Sequence, residues 1–151
     1  MEQVFNPNEV RIMPDKTPPA ARVRHVFVYG TLRRGGSNDI TRLRPAPRWV
    51  GTAQIGGTLF HLGAYPGMTL GGPSLVQGEV YEMAPELEAV LDEIEGLGAT
   101  PGDEYVKREI VVDVAGQAVP CLVYEINPRY AAGAPRIAGG DWMQACAESS
   151  R

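Results

Sequence analysis

The sequence predicts a single α+β domain, folded as a small mixed β-barrel or a strongly curled sheet with flanking short helices. About six short segments carry the β-branched and aromatic residues typical of strands, whereas one segment has a clear helical period. The 151 residues are 44% hydrophobic and 21% charged, which is sufficient for one core that folds unaided. No internal repeat or low-complexity tract interrupts this pattern.

The N-terminal part divides into an arm and a first strand. Residues 1–22 contain Asn-Pro, Met-Pro and Thr-Pro-Pro steps without periodicity, so we expect a poorly ordered arm there, or a segment draped on the domain, and the domain itself over residues 23–151. Residues 25–29 form a nearly continuous run of apolar β-formers, which indicates a strand buried on both faces. A short helix is expected at residues 38–43.

Three more strands are predicted before the main helix. Residues 49–55 and 58–62 flank Gly56-Gly57, a pair typical of a two-residue hairpin turn. Residues 75–83 read as the third strand, in which Gly78 marks a bulge or a close approach.

The clearest helix begins at Pro85, because proline suits a first helical turn. Glu86 and Glu88 favour its positive N-terminal end, and Gly96 is well placed to end it. Its apolar stripe has helical spacing: Leu87, Val90, Leu91 and Ile94.

The C-terminal part predicts a second hairpin and a short helix. Residues 105–114 and 118–126 are strand-like and lie on either side of residues 115–117. Asp141 is a suitable cap for a helix that begins near Trp142.

Charge and composition argue against several classes of protein. The net charge of −4 disfavours a nucleic-acid or anionic-membrane partner, and no run of about 18 apolar residues is present to span a bilayer. The N-terminus lacks the apolar segment of a secretory signal, and Cys121 and Cys146 are too few for a disulfide framework, so we expect a cytoplasmic protein. His25 and His61 lack neighbours with metal-ligand spacing, so no metal site is expected.

Nucleophilic catalysis is poorly supported by the motifs. The chain contains no Gly-x-Ser-x-Gly elbow, no Gly-Lys-Ser/Thr phosphate loop, no Gly-x-Gly-x-x-Gly and no His-Glu-x-x-His. A carboxylate that acts as a general base, aided by backbone N–H donors, remains open.

The stretch Tyr-Gly-Thr-Leu-Arg-Arg-Gly-Gly at residues 29–36 is the most unusual in the chain. A buried strand that opens into such a turn leaves N–H groups without ladder partners, and these can converge on a carboxylate or an oxyanion. The alternative is a tight turn whose glycines only supply special backbone angles. Arg33 and Arg34 are candidates for binding a substrate carboxylate, or are solvated loop residues.

Glu95 is the candidate general base. With a rotation of about 100° per residue, Glu95 is expected at the edge of the apolar face of the helix. It is also expected in the last helical turn, where the helix dipole disfavours a negative charge. Both effects would raise the pKa of its carboxyl group. The alternative is a solvated acid on a charged helix. The hydroxyl groups of Tyr105 and Tyr124 are candidates for binding a ligand. The alternative is that both are core residues whose hydroxyls reach solvent.

Several short motifs follow one another over roughly residues 25–143. They are Val-Phe-Val-Tyr-Gly-Thr-Leu-Arg-Arg-Gly at 26–35, Gly-Thr-Leu-Phe at 57–60 with Tyr65-Pro66, Val-Gln-Gly-Glu-Val-Tyr at 76–81, Leu-Asp-Glu-Ile-Glu at 91–95, Glu-Tyr-Val-Lys-Arg at 104–108, Leu-Val-Tyr at 122–124, Pro-Arg-Ile at 135–137 and Gly-Asp-Trp at 140–142. This ordered series resembles the γ-glutamylcyclotransferase-like family, including its γ-glutamylamine cyclotransferase branch.

The resemblance implies a closed, mixed β-barrel with flanking helices. It implies that Glu95 is the catalytic acid/base and that Tyr105 lines the pocket. It also implies that one loop binds the γ-glutamyl group through backbone N–H groups: Tyr29, Gly30, Thr31 and Leu32.

The resemblance further implies an enzyme without cofactor or metal, acting on a small γ-glutamyl substrate. The substrate's free α-amine would attack its own γ-carbonyl and close 5-oxoproline, with Glu95 moving the proton. A γ-glutamylamine is favoured over glutathione, and a monomer is expected because no coiled-coil stripe is visible. Two alternatives stay open: a non-catalytic binding module on the same fold, and an amide hydrolase that admits water.

Overall fold

The computed structural model describes residues 24–97 and 102–149, so the predicted arm at residues 1–22 lies outside the described part. The chain forms five strands, three α-helices and a 3₁₀ helix at Ile40–Arg42 within these ranges. The strands are β1 Arg24–Val28, β2 Arg48–His61, β3 Pro66–Met83, β4 Tyr105–Val114 and β5 Gln117–Ile126, and the helices are α1 Pro85–Ile94, α2 Pro128–Ala131 and α3 Trp142–Ser149.

The five strands form one mixed sheet in the order β2-β3-β1-β5-β4. The central strand, β1, pairs antiparallel with β3 and parallel with β5. Val26 and Val28 pack on the face that α1 covers, whereas Phe27 packs on the opposite face with Trp142. The prediction that the first strand is buried on both faces is therefore confirmed.

The prediction of a closed barrel of about six strands is wrong for the described residues, because the sheet has five strands and stays open. The edge strands β2 and β4 do approach each other, and a Cβ added at Gly51 would lie 2.7 Å from Val114 Cγ1. No ladder joins these two strands in the described part of the chain, so their contact is made by side-chain packing of Val114 on Gly51.

The predicted hairpin turn at Gly56-Gly57 is also wrong, because β2 runs straight through this pair. The register against β3 jumps there, from Gly56 opposite Leu75 to Gly57 opposite Leu70, so a bulge of β3 accommodates the irregularity. The chain actually turns after His61, where the N–H of Leu62 donates to the Tyr65 carbonyl at 3.0 Å. Two predicted strands are thus one long strand.

Other elements follow the sequence pattern closely. Helix α1 spans Pro85–Ile94, and Gly96 follows it with φ of +76°, the left-handed conformation that ends helices. The second hairpin turns at Ala115 and Gly116, so β5 begins at Gln117. Asp141 Oδ1 accepts a hydrogen bond from the N–H of Gln144 at 3.2 Å, which confirms the predicted cap of α3.

No helix in residues 24–97 and 102–149 is long and apolar enough to cross a membrane.

Candidate active site

A cavity of about 230 Å³ opens where the end of β1, the end of α1 and the start of β4 meet. The six residues that the sequence predicted for the site all line it: Tyr29, Gly30, Thr31, Leu32, Glu95 and Tyr105. The remaining lining comes from β1 and from neighbouring segments: Phe27, Val28, Asn38, Tyr65, Pro66, Ile94, Gly96, Glu104 and Tyr124. Residues far apart in the chain are therefore brought to one site.

Glu95 is placed at the cavity by the end of α1. Its backbone N–H still donates to the Leu91 carbonyl at 2.9 Å, and the chain turns away at Gly96. Its half-buried carboxylate has no hydrogen-bond partner among the described residues. Burial raises the pKa of Glu95 to about 7, and the negative charge of Glu104 adds to this shift. At neutral pH both protonation states are thus accessible, as acid/base chemistry requires.

The loop after β1 lines the cavity and contains backbone N–H groups without acceptors. Its carbonyls are occupied, since Gly30, Thr31 and Leu32 accept hydrogen bonds from Arg33, Asn38 and Ile40 at 2.9–3.0 Å. The N–H groups of the same three residues, Gly30, Thr31 and Leu32, donate to no acceptor in the described part of the chain. Such a group of free donors can bind a carboxylate or a developing oxyanion.

A buried carboxylate, Glu79, holds this loop in place. It accepts hydrogen bonds from Arg33 Nε at 3.1 Å, from the N–H of Arg34 at 2.9 Å and from the Tyr81 hydroxyl at 2.9 Å. Arg33 also donates to Asp141 Oδ1 at 2.8 Å, which ties the loop to the start of α3. Sequence reasoning missed Glu79, although a charged residue inside the apolar run at residues 75–83 needs a partner when buried.

The two loop arginines do not line the cavity, so the structure does not support them as ligands of a substrate carboxylate. Arg33 is committed to Glu79 and Asp141. The guanidinium of Arg34 lies 4.9 Å from the centre of the Trp49 ring, which is a cation–π contact.

The hydroxyls of the cavity tyrosines are bonded within the protein. Tyr29 donates to the Tyr124 carbonyl at 2.6 Å, and its oxygen accepts from the N–H of Met68 at 3.3 Å. Tyr105 donates to the Pro66 carbonyl at 2.7 Å. Burial holds the pKa values of both phenols above their usual range. These residues shape the cavity wall with their rings, while their hydroxyls link the strands around it.

Removal of the Tyr29 hydroxyl should therefore destabilise the fold. We expect Tyr29→Phe to lower the free energy of unfolding by about 1–2 kcal/mol, because a buried carbonyl and a buried N–H lose their partner. Urea unfolding of the variant measures this loss. Tyr130→Phe, at a tyrosine that is 41% exposed, is the matched control and should change stability less. Equal stability of wild type and Tyr29→Phe would contradict the bridging role.

Sequence reasoning assigned no role to Tyr65 and Glu104. The Tyr65 hydroxyl donates to Glu104 Oε2, and both residues line the cavity next to Tyr105. The sequence signal for them was their place in two of the ordered motifs, Tyr65-Pro66 and Glu-Tyr-Val-Lys-Arg at 104–108. Among residues 24–97 and 102–149, no three His, Cys, Asp or Glu side chains are grouped so as to hold a metal ion.

The chain is similar in sequence and in fold to several known proteins. The model of the family described as gamma-glutamyl cyclotransferase, AIG2-like, matches residues 26–144. A putative gamma-glutamylcyclotransferase of Vibrio cholerae is 34% identical over 127 residues, covering 79% of this chain and 95% of that protein. The gamma-L-glutamyl-butirosin B gamma-glutamyl cyclotransferase of Niallia circulans is 40% identical over 80 residues, which cover 52% of this chain.

The match to the Niallia circulans protein spans only about half of that relative, 49% of its length. Among solved structures, an AIG2-like protein from Mus musculus superimposes with a TM-score of 0.62 at 26% identity. That match covers 75% of this chain and 84% of the mouse protein. The chain thus shares its fold with the mouse protein.

Proposed function

Since the chain belongs to the gamma-glutamyl cyclotransferase, AIG2-like family, we propose that it converts a γ-glutamyl amine, or another γ-glutamylated small molecule, into 5-oxoproline and the free amine. One observation carries the proposal. Glu95, whose half-buried carboxyl group has a pKa of about 7, lines the same cavity as three residues whose backbone N–H groups have no acceptor in the described part of the chain. Cyclisation of a γ-glutamyl amide needs a proton carrier and an anion cradle of this kind.

The nucleophile in this reaction belongs to the substrate. The α-nitrogen forms a bond to the γ-carbonyl carbon, the bond from that carbon to the leaving nitrogen breaks, and a five-membered lactam results. Two protons leave the α-ammonium nitrogen and two reach the departing amine, so Glu95 carries them one at a time. When two reacting groups are well oriented, the intramolecular advantage is about 7–11 kcal/mol. The walls of the cavity supply that orientation.

The N–H groups of Gly30, Thr31 and Leu32 would donate hydrogen bonds to negatively charged oxygens of the substrate. They bind its α-carboxylate or stabilise the oxygen that becomes negative when the amine attacks. No side-chain hydroxyl of the cavity tyrosines is needed for these steps. Because neither a nucleophile nor an electron carrier is required, we propose a reaction without a cofactor.

We further propose that the chain acts as a monomer in the cytoplasm, without a nucleic-acid or membrane partner. The described lining of the cavity comes from a single chain, and Cys121 and Cys146 form no disulfide within residues 24–97 and 102–149, as a reducing compartment favours. A γ-glutamylamine is the preferred substrate class. The name of the Niallia circulans relative, which places a γ-glutamyl group on butirosin B, is consistent with leaving amines that vary within the family.

The proposal is tested by incubating the purified protein with a panel of γ-glutamyl amines. We expect 5-oxoproline and the free amine in equal amounts, measured by mass spectrometry. A folded protein that releases neither would remove the proposal. Thermal stabilisation by panel members without turnover would instead identify a binding module.

The raised pKa of Glu95 predicts a pH-dependent rate. Because the ionised carboxylate is the base, kcat/KM should rise with pH through an apparent pKa near 7. Glu104→Gln removes the negative charge that opposes ionisation of Glu95, so the rising limb of the profile of kcat/KM against pH should move to lower pH. Profiles of both proteins between about pH 5 and 9 measure the shift. A limb at the same pH in both would contradict the assignment of Glu95 as the titrating base.

A further inference from the structure

The cavity contains a second carboxylate for which the proposed reaction has no use. Glu95 and Glu104 both line it, and its described lining includes no Lys, Arg or His side chain. Low-dielectric walls concentrate the field of such unbalanced charges and attract ligands of opposite sign. The local charge of the site is therefore suited to a substrate that brings positive charge.

Glu104 differs from most other partly buried acids because no basic side chain neutralises it. Six of these acids have an Arg or Lys partner at ion-pair distance: Glu79, Glu82, Glu88, Asp92, Glu125 and Asp141. Asp39 instead accepts hydrogen bonds from the backbone N–H groups of Gly35 and Thr41. Over residues 24–97 and 102–149, the partly buried carboxylates with neither kind of partner are Glu95 and Glu104.

Tyr65 holds Glu104 at the mouth of the cavity. Its hydroxyl donates to Oε2, so Oε1 remains available as an acceptor. The Tyr65 side chain is 37% exposed, and its ring centre lies 6.4 Å from that of Tyr105. A carboxylate beside a partly exposed aromatic ring, here that of Tyr65, can bind an ammonium group by a charge-assisted hydrogen bond and by cation–π attraction.

The division of roles in the proposed reaction leaves Glu104 for the amine that departs. Glu95 takes the protons from the substrate's own α-amine, and the loop N–H groups donate hydrogen bonds to the substrate's oxygens. We propose that Glu104 is a specificity-determining residue that selects γ-glutamyl amides whose leaving amine carries a second, positively charged group, an inference that rests on the proposed function. Monoamides of diamines and polyamines are the chemical class that fits.

Two isosteric substrates test this inference. The mono-γ-glutamyl amide of diaminobutane ends in an ammonium group, whereas γ-glutamyl pentylamide ends in a methyl group at the same position. We expect wild type to favour the cationic amide by about tenfold in kcat/KM. Glu104→Gln should bring the two values together. The ratio isolates this effect, because any change in the pKa of Glu95 acts on both substrates alike.

Glu86→Gln is the matched control, since it removes the same charge from an exposed position in the first turn of α1. It should keep the wild-type preference. Equal kcat/KM values in wild type, or a preference that survives in Glu104→Gln, would overturn the inference.

Failure of the proposed function gives a different result. If folded wild type releases no 5-oxoproline from either amide, calorimetric titration with the same two amides decides the inference separately. Tighter binding of the cationic amide that is lost in Glu104→Gln would support the cation subsite. Equal binding of both amides, or binding of neither, would overturn it.

Discussion

Glu95→Gln should lower kcat by about a thousandfold while the protein stays folded. Glutamine preserves the shape of the side chain but neither takes up nor releases a proton at any relevant pH, and general acid/base groups contribute roughly 10²–10⁴ to rates. The melting temperature should not fall, because the buried carboxyl group loses only its desolvation cost. Release of 5-oxoproline and thermal unfolding, measured on the same preparations, check both parts.

Glu93→Gln is the matched control for this variant. Glu93 precedes Glu95 by two residues on the same helix but is exposed and does not line the cavity. Its replacement should leave kcat close to the wild-type value. If Glu95→Gln retained most of the activity, another group would have to move the protons, and the assignment of Glu95 would be wrong.

Glu79→Ala should have the second largest effect, acting through the loop that presents the N–H groups. The side chains of Arg33 and Glu79 are only 12% and 7% exposed. Removing Glu79 leaves Arg33 with Asp141 as its one remaining carboxylate partner in the described part of the chain, and it takes the acceptor away from the Arg34 N–H and the Tyr81 hydroxyl. Loss of one partner of a buried ion pair typically costs about 3–5 kcal/mol. We expect a loss of about 3 kcal/mol in the free energy of unfolding, measured by urea titration.

The same variant should also lose at least about tenfold in kcat/KM under conditions where it remains folded, because the loop donors are no longer fixed. The acid limb of its pH profile should stay near 7, since Glu95 itself is untouched. Glu82→Ala provides the control on the same strand. Its partner Arg48 is exposed, so both stability and activity should change little. Equal effects of the two substitutions would contradict a special role for Glu79.

The parts of the fold that the sequence predicted depend on local patterns. Pro85, the apolar stripe and Gly96 define α1 within a few residues. Helix period and termini are encoded by neighbours in the chain. For the same reason, the turn at Ala115-Gly116 was found within one residue.

The errors concern contacts between distant segments. Gly56-Gly57 has the composition of a turn, but a bulge formed on β3, at positions far along the chain, keeps β2 continuous. Closure of the sheet depends on how β2 meets β4, and here Val114 packs on Gly51 without a ladder. No local pattern carries that information.

The candidate site shows the same division. Motif order indicated the loop at residues 29–32, Glu95 and Tyr105, which the fold does bring to one cavity. The support from Glu79 and the pairing of Glu104 with Tyr65 involve residues 39–46 positions apart. These contacts become visible only once the strands are assembled.

The most direct test of the central claim is to run the reaction with a γ-glutamyl amine in water enriched in ¹⁸O and to analyse the product by mass spectrometry. Attack by the substrate's own amine predicts 5-oxoproline without ¹⁸O, because no water enters the bond-forming step. Free glutamate that carries ¹⁸O would show hydrolysis instead and would contradict intramolecular cyclisation.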